Sequence, residues 1–126
     1  MKIQKLLLLE SITTFAEQVK NNLGLKQFSL YEKGNDIYLN SIIVGREQQG
    51  QGMGSKALQM LTDYADNEGK RIILTPAAQD KMHGTTSRAR LVRFYKRFGF
   101  VESKGKNIDY QIGAGKMYRV PINRIA

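Results

Sequence analysis

Residues Ile42–Leu61, IIVGREQQGQGMGSKALQML, decide how the chain is read. An apolar strand ends at Val44, a polar bend follows, and a turn punctuated by Gly50, Gly52 and Gly54 opens a helix. Without side chains, these glycines let the backbone bend freely and let a ligand come close to its amides. The first turn of the helix leaves N–H groups unpaired, and its dipole favours an anion there. Strand, glycine turn and helix start together predict a phosphate cradle.

Two well-known cradles fail on detail. A P-loop needs Gly-x-x-x-x-Gly-Lys-Ser/Thr, whereas Gly54 is followed by Ser55-Lys56. The dinucleotide fingerprint needs Gly-x-Gly-x-x-Gly directly after a strand. Here the spacing is Gly-x-Gly-x-Gly, and five residues separate Val44 from Gly50. The segment Gln49-Gly50-Gln51-Gly52-Met53-Gly54 instead resembles the Arg/Gln-x-x-Gly-x-Gly/Ala acetyl-CoA loop of the GNAT N-acetyltransferases. The plain alternative is a glycine-rich turn that does no more than cap a helix.

Working outward, Lys2–Leu9 reads as a strand, and Ile12, Phe15, Ala16, Val19 and Leu23 form the stripe of a helix between Ser11 and Gly24. Phe28–Glu32 and Ile37–Val44 flank the turn residues 33–36, which predicts a hairpin. Strand alternation puts Ile37, Leu39, Ser41 and Ile43 on one face and Tyr38, Asn40, Ile42 and Val44 on the other. The central helix presents Met53, Ala57, Leu58, Leu61, Tyr64 and Ala65 on one side and stops at Gly69. Arg71–Thr75 is a short buried strand ended by Pro76. After a polar loop over residues 77–84, one of Thr85, Thr86 or Ser87 caps a helix carrying Leu91, Phe94, Tyr95 and Phe98. Phe100–Glu102 and Lys116–Ile122 are two last strands. This order predicts a single α/β (α+β) domain over residues 1–126, with a mixed sheet covered by helices in three layers.

Tyr95-Lys96-Arg97-Phe98-Gly99-Phe100 supplies a second motif. It is similar to the Tyr-x-x-x-Gly-Phe segment that GNAT proteins commonly carry about 40 residues after the glycine loop, on the helix after the next strand. Over residues 37–102 the chain therefore resembles that superfamily, and as a whole it looks like a compact, phage-like member. The resemblance implies a mixed, mostly antiparallel central sheet flanked by helices.

It also implies chemistry: direct transfer of the acetyl group of acetyl-CoA to a primary amine of a small molecule or protein. Main-chain groups of Ile42, Ile43 and Val44 would hold the thioester, and Gln49, Gly50, Gln51, Gly52, Met53, Gly54 and Ser55 the diphosphate. Arg46, Arg93 and Lys96 are candidates for the coenzyme phosphates by their charge, with a solvated surface role as the alternative for each, and Ser87 stands where the family often has an asparagine. Tyr95 would serve as acid to the departing thiolate, although it also lies on the apolar stripe of its helix. His83 has the intrinsic pKa of a general base, with a bystander or a bound water as alternatives. Tyr38 and Asn40 could line the acceptor pocket, and cross-strand packing is the other role open to Tyr38.

Composition bounds the rest. The chain has no cysteine and one histidine, so thiolate catalysis, disulfides and multi-histidine metal sites are excluded, and no metal is expected. No apolar run approaches a membrane span, so a cytoplasmic protein is expected, as a monomer or homodimer. The net charge of +9 is lopsided: residues 1–80 balance nine Lys/Arg against nine Asp/Glu, whereas residues 81–126 hold eleven against two. Such a half is a solvated face or a grip on an anion, with nucleic acid among the possible partners. Two rivals follow: a toxin-like acetyltransferase acting on aminoacyl-tRNA, and a non-catalytic module binding coenzyme A or nucleic acid.

Overall fold

The computed structural model describes residues 11–48, 50–76 and 88–122. In chain order these form α1 (Ser11–Leu23), β1 (Gln27–Lys33), β2 (Asp36–Ile43), α2 (Met53–Glu68), β3 (Arg71–Leu74), α3 (Arg88–Lys96), β4 (Val101–Glu102) and β5 (Met117–Arg119). The strands make one sheet in the order β1-β2-β3-β5-β4. Only β2 and β3 run parallel; every other neighbouring pair is antiparallel. The expected mixed, mostly antiparallel sheet flanked by helices is therefore present. The strand expected at Lys2–Leu9 and the caps expected at Thr85, Thr86 or Ser87 lie outside the described residues, as does the side chain of Ser11.

Local chemistry explains the joints. Lys33 pairs with Asp36 across a two-residue turn. Gly34 there has φ 63°, while Asn35 keeps a negative φ, the pattern of a type II′ hairpin. The three described helices stop in the same way. Gly24, Gly69 and Gly99 take left-handed φ values of 67°, 66° and 93°. The amides of Leu25, Lys70 and Phe100 then reach back to the carbonyls of Lys20, Ala65 and Tyr95, which is the Schellman closure.

Strand β2 corrects the expected facing. The β1–β2 register shifts between Ser29 and Leu30, opposite Leu39–Ser41. A bulge of this kind adds one residue to one strand and so reverses the alternation beyond it. Ile37 and Leu39 are buried in the core, and past the bulge Ile42 and Val44 pack against it, in place of Ser41 and Ile43. The last strand is also shorter than expected. It ends at Arg119, and Pro121, which has no N–H to donate to a ladder, follows two residues later.

One apolar cluster joins α1 (Ile12, Val19), α2 (Leu58, Leu61), the sheet (Ile72, Leu74, Met117) and α3 (Val92, Tyr95). Phe15 of α1 stacks on Tyr64 of α2 at 4.4 Å. Polar staples close the edges. Arg119, almost wholly buried, makes a forked pair with the fully buried Asp66 of α2 at 2.7 and 3.0 Å. Its Nε donates to the Phe98 carbonyl beyond α3 at 2.7 Å. At the first residues of β2 and β3, Arg71 binds both Asp36 and Asp109.

Candidate active site

Strand β3 pairs with β2 only from Asp36 to Leu39, and its own last residue, Leu74, lies opposite Leu39. Beyond that point Asn40–Ile43 has a ladder partner in β1 alone among the described residues. Among the described residues the sheet is thus open on one side of β2, over the residues singled out for a thioester, Ile42 and Ile43, with Val44 just past them. The bulge sits at the start of this opening. Asn40 there is exposed. The Ser41 hydroxyl is buried without a hydrogen-bond partner among the described residues, and a buried hydroxyl left so costs about 1–3 kcal/mol.

The glycine turn leads from this strand into α2. Gly50 and Gly52 have φ values of 85° and 75°, and a Cβ on either would meet open space. Gly54 is different. It has no left-handed φ, and a Cβ there would lie 3.9 Å from the Phe94 ring and 4.0 Å from the Val44 side chain. Gly54 thus brings the first turn of α2 against both β2 and α3.

The amides of this turn divide in two. Gln51 N–H already donates to the Gln48 carbonyl at 3.3 Å, so its amide is engaged within the protein. The first helical bond of α2 runs from Lys56 N–H to Gly52 O. The amides of Gly52, Met53, Gly54 and Ser55 have no backbone acceptor among the described residues. Residues Arg46–Gln48 form a short 3-10 turn just before this stretch. Oriented as its hydrogen bonds require, the Gln48 amide donates to the carbonyls of Gly24 and Leu23 at 2.8 and 3.2 Å, which anchors that turn to the end of α1.

Helix α3 brings Phe94 and Tyr95 to the same region. Phe94 touches the Gly54 position, and the Arg97 guanidinium stacks on the Phe94 ring at 5.3 Å. Arg97 thereby stands one ring away from the α2 N-terminus. Tyr95 is buried in the core cluster, edge-on to Phe94 at 5.3 Å and to Phe100 at 5.6 Å. Burial alone pushes its phenol up to about 12.

The remaining predicted residues are more scattered. Lys96 faces Glu102 at 3.4 Å. Tyr38 stacks flat on Tyr31 at 4.8 Å, the cross-strand packing that was its alternative role. Gln49, His83 and Ser87 lie outside the described residues. Among the described residues no group of three His, Asp or Glu could hold a metal ion, and no helix is long and apolar enough to cross a membrane. Ser41, Phe94 and Arg97 were not picked out for this site from sequence. Arg97, three residues past Phe94, carried the only local hint.

Among the described residues, then, a mixed sheet opens beside a glycine-led helix start with four amides that have no backbone acceptor. The chain belongs to the acetyltransferase (GNAT) family, whose match covers residues 10–100. Among solved structures it is similar to Ard1 from Thermoplasma volcanium, at 17% identity and a TM-score of 0.52, over 76% of this chain and 62% of that one. It is also similar to the ribosomal-protein-S18-alanine N-acetyltransferase from Escherichia coli, at 21% identity and a TM-score of 0.52, over 79% and 62%. These likenesses are of fold, and the chain spans less than two thirds of either neighbour's length. No curated protein sequence matches it.

Proposed function

We propose that the protein transfers the acetyl group of acetyl-CoA directly to a primary amine of a small molecule or protein. The observation that carries this reading is that, among the described residues, β2 lies open over Asn40–Ile43 beside amides of Gly52–Ser55 that have no backbone acceptor. In the reaction the amine nitrogen bonds to the acetyl carbon, the carbon–sulfur bond breaks, and the amine proton passes to a base or water.

Acetyl-CoA supplies an activated acyl group on an anionic handle. The chain's part is to hold that handle and steady the charges. The α2 amides and dipole receive the diphosphate, with Arg97, just past α3, adding positive charge across the Phe94 ring. The free edge of Ile42–Val44 offers main-chain hydrogen bonds to the arm and to the oxygen of the reacting carbonyl. Ser41 adds a buried hydroxyl, without a partner among the described residues, at the start of that edge. Tyr95 donates a hydrogen bond to the departing thiolate, and with a pKa near 12 it keeps its proton throughout the working range. Ser87 remains a proposed contact for the arm, Gln49 for the diphosphate, and His83 is the proposed base. Asn40 and Tyr38 border the acceptor side. Lys96, partnered by Glu102, is the weakest of the proposed coenzyme contacts.

The test is thiol release from acetyl-CoA in the presence of a panel of amines, peptides and aminoacyl-tRNA, together with thermal melting. Ligand at about a hundred times its dissociation constant should add about 2.7 kcal/mol of stability, and release should depend on the amine. Gly52→Glu should abolish both effects, because its carboxylate would stand where the diphosphate binds. No melting shift at about 1 mM acetyl-CoA, together with no amine-dependent release, would overturn the proposal.

A further inference from the structure

The turn that leads into α2 is held from outside, by the end of α1. Leu23 is the last residue of α1 and Gly24 its left-handed stop, so their carbonyls lie past the last helical bond. The side-chain amide of Gln48 donates to both, at 3.2 and 2.8 Å. The fit is close: a Cβ on Gly24 would come within 2.7 Å of that amide group. Two residues on, the Lys26 amide donates to the Ile43 carbonyl at 2.9 Å. Residues 23–26 therefore hold both the last residue of β2 and the 3-10 turn over Arg46–Gln48.

Gln48 also organises the turn through its main chain. Its amide donates to the Gly45 carbonyl at 2.9 Å, and its carbonyl accepts the Gln51 amide at 3.3 Å. The Gln51 side chain donates in turn to the Glu47 carbonyl at 3.4 Å. Gln51 directly precedes Gly52, the N-cap of α2. A short run of hydrogen bonds thus leads from α1, through one side chain, to the start of the amides at Gly52–Ser55. Of the three residues in the 3-10 turn, Arg46 and Glu47 are exposed and Gln48 is half-buried. Gly50 and Gly52 have open space where a Cβ would be, so no side chain of their own restrains them. Amides bind an anion well when they are aimed before it arrives, because a loose turn must be ordered by the binding itself.

We propose that Gln48 is a positioning residue for coenzyme binding: by bonding to the end of α1 it fixes the turn that aims the α2 amides at the diphosphate. The inference rests on the acetyl-CoA reading above. A side chain with two N–H groups suits a pair of carbonyls. Methionine nearly matches its length and shape but donates nothing. Lysine donates, and its charge is favourable at a helix C-terminus. A packing role would therefore rank methionine beside glutamine, whereas an anchor ranks lysine beside it.

The experiment compares the wild type with Gln48→Met, Gln48→Lys and Glu47→Gln. Acetyl-CoA is titrated calorimetrically, and backbone nitrogen relaxation is recorded on the unliganded proteins. Gln48→Met should weaken acetyl-CoA binding about tenfold, the size of one or two lost hydrogen bonds. In the unliganded protein the order parameters of Gln51 and Gly52 should fall from about 0.85 to below about 0.6. A single cooperative melting transition in each variant confirms that the fold is kept. Gln48→Lys should restore both binding and order. Its gain in affinity over Gln48→Met should exceed that of Glu47→Gln over the wild type, which adds the same unit of charge to this turn and leaves the anchor in place. Equal binding in Gln48→Met, or an unchanged order parameter at Gln51, overturns the proposal and leaves the acetyl-transfer reading standing. Weakened binding that lysine does not restore marks a packing role and overturns it too, as does a lysine gain no larger than that of Glu47→Gln. A wild type that binds no acetyl-CoA would sink both readings together.

Discussion

Tyr95 is only 8% exposed, and its burial changes the chemistry open to the phenol. An acid with a pKa near 12 does not hand its proton to a thiolate whose own pKa is about 8.5. It steadies that thiolate as a hydrogen-bond donor. Tyr95→Phe should accordingly lower kcat about tenfold or more with little change in coenzyme affinity; unchanged turnover would reduce Tyr95 to a packing residue. The same burial has a stability signature. The folded pKa lies above the unfolded value near 10, so the stabilisation is complete below pH 10 and is lost as pH rises through 12. The loss should be about 2–3 kcal/mol in the wild type. It should be absent in Tyr95→Phe, as parallel melting curves at pH 9 to 12 would register. The motif around Tyr95 was plain in the sequence, but its depth was not. Part of that motif is helix-end geometry: Phe100 closes on Tyr95 through the backbone and the rings, and Gly99 supplies the left-handed turn.

Among the elements, the glycine turn and the bulged strand set the site. The three glycines looked alike in sequence and do different work. Gly52 is the left-handed N-cap of α2, whereas Gly54 is an ordinary helical residue whose missing Cβ permits close packing. Gly54→Ala should fit and add about 0.5–1 kcal/mol of stability. Gly52→Ala should cost about 1 kcal/mol through its φ and, by disturbing the cap, weaken acetyl-CoA binding. Calorimetric melting with and without the ligand separates the two; equal effects would mean that the turn has no special role. Strand β2 was legible as a strand but not as a bulged one. Its residues are apolar on both sides of Asn40, so either phase of alternation satisfied the pattern, and only pairing with β1 selected one.

At the scale of the molecule, the Arg119–Asp66 pair locks α2, the end of α3 and the last strand together. Removing Arg119 takes from the buried Asp66 carboxylate the fork that reaches both of its oxygens. Arg119→Ala should therefore cost about 3–5 kcal/mol and lower the melting temperature by roughly 10–20 °C. Arg119→Lys should recover little, because a lysine cannot reproduce the fork that reaches both carboxylate oxygens and the Phe98 carbonyl. A fall under about 1 kcal/mol would mean that the pair is solvated in solution. Arg119 also accounts for Gly99 a second time, since a Cβ there would come within 3.2 Å of its Nε. Neither partner was marked in the sequence.

The sequence by itself determined what depends on near neighbours. Periodicity and glycine stops placed the helices, the turn residues joined β1 to β2, and two spaced motifs pointed to the GNAT family. Those features follow from local sterics, capping and hydrophobic repeat, which act over a few residues. The tertiary structure alone decided the shift of phase in β2, the opening left where β3 ends, the depth of Tyr95 and the partners of Arg119 and Glu102. Each of these joins residues far apart in the chain, and no local pattern encodes which of several equally apolar or equally charged groups will meet.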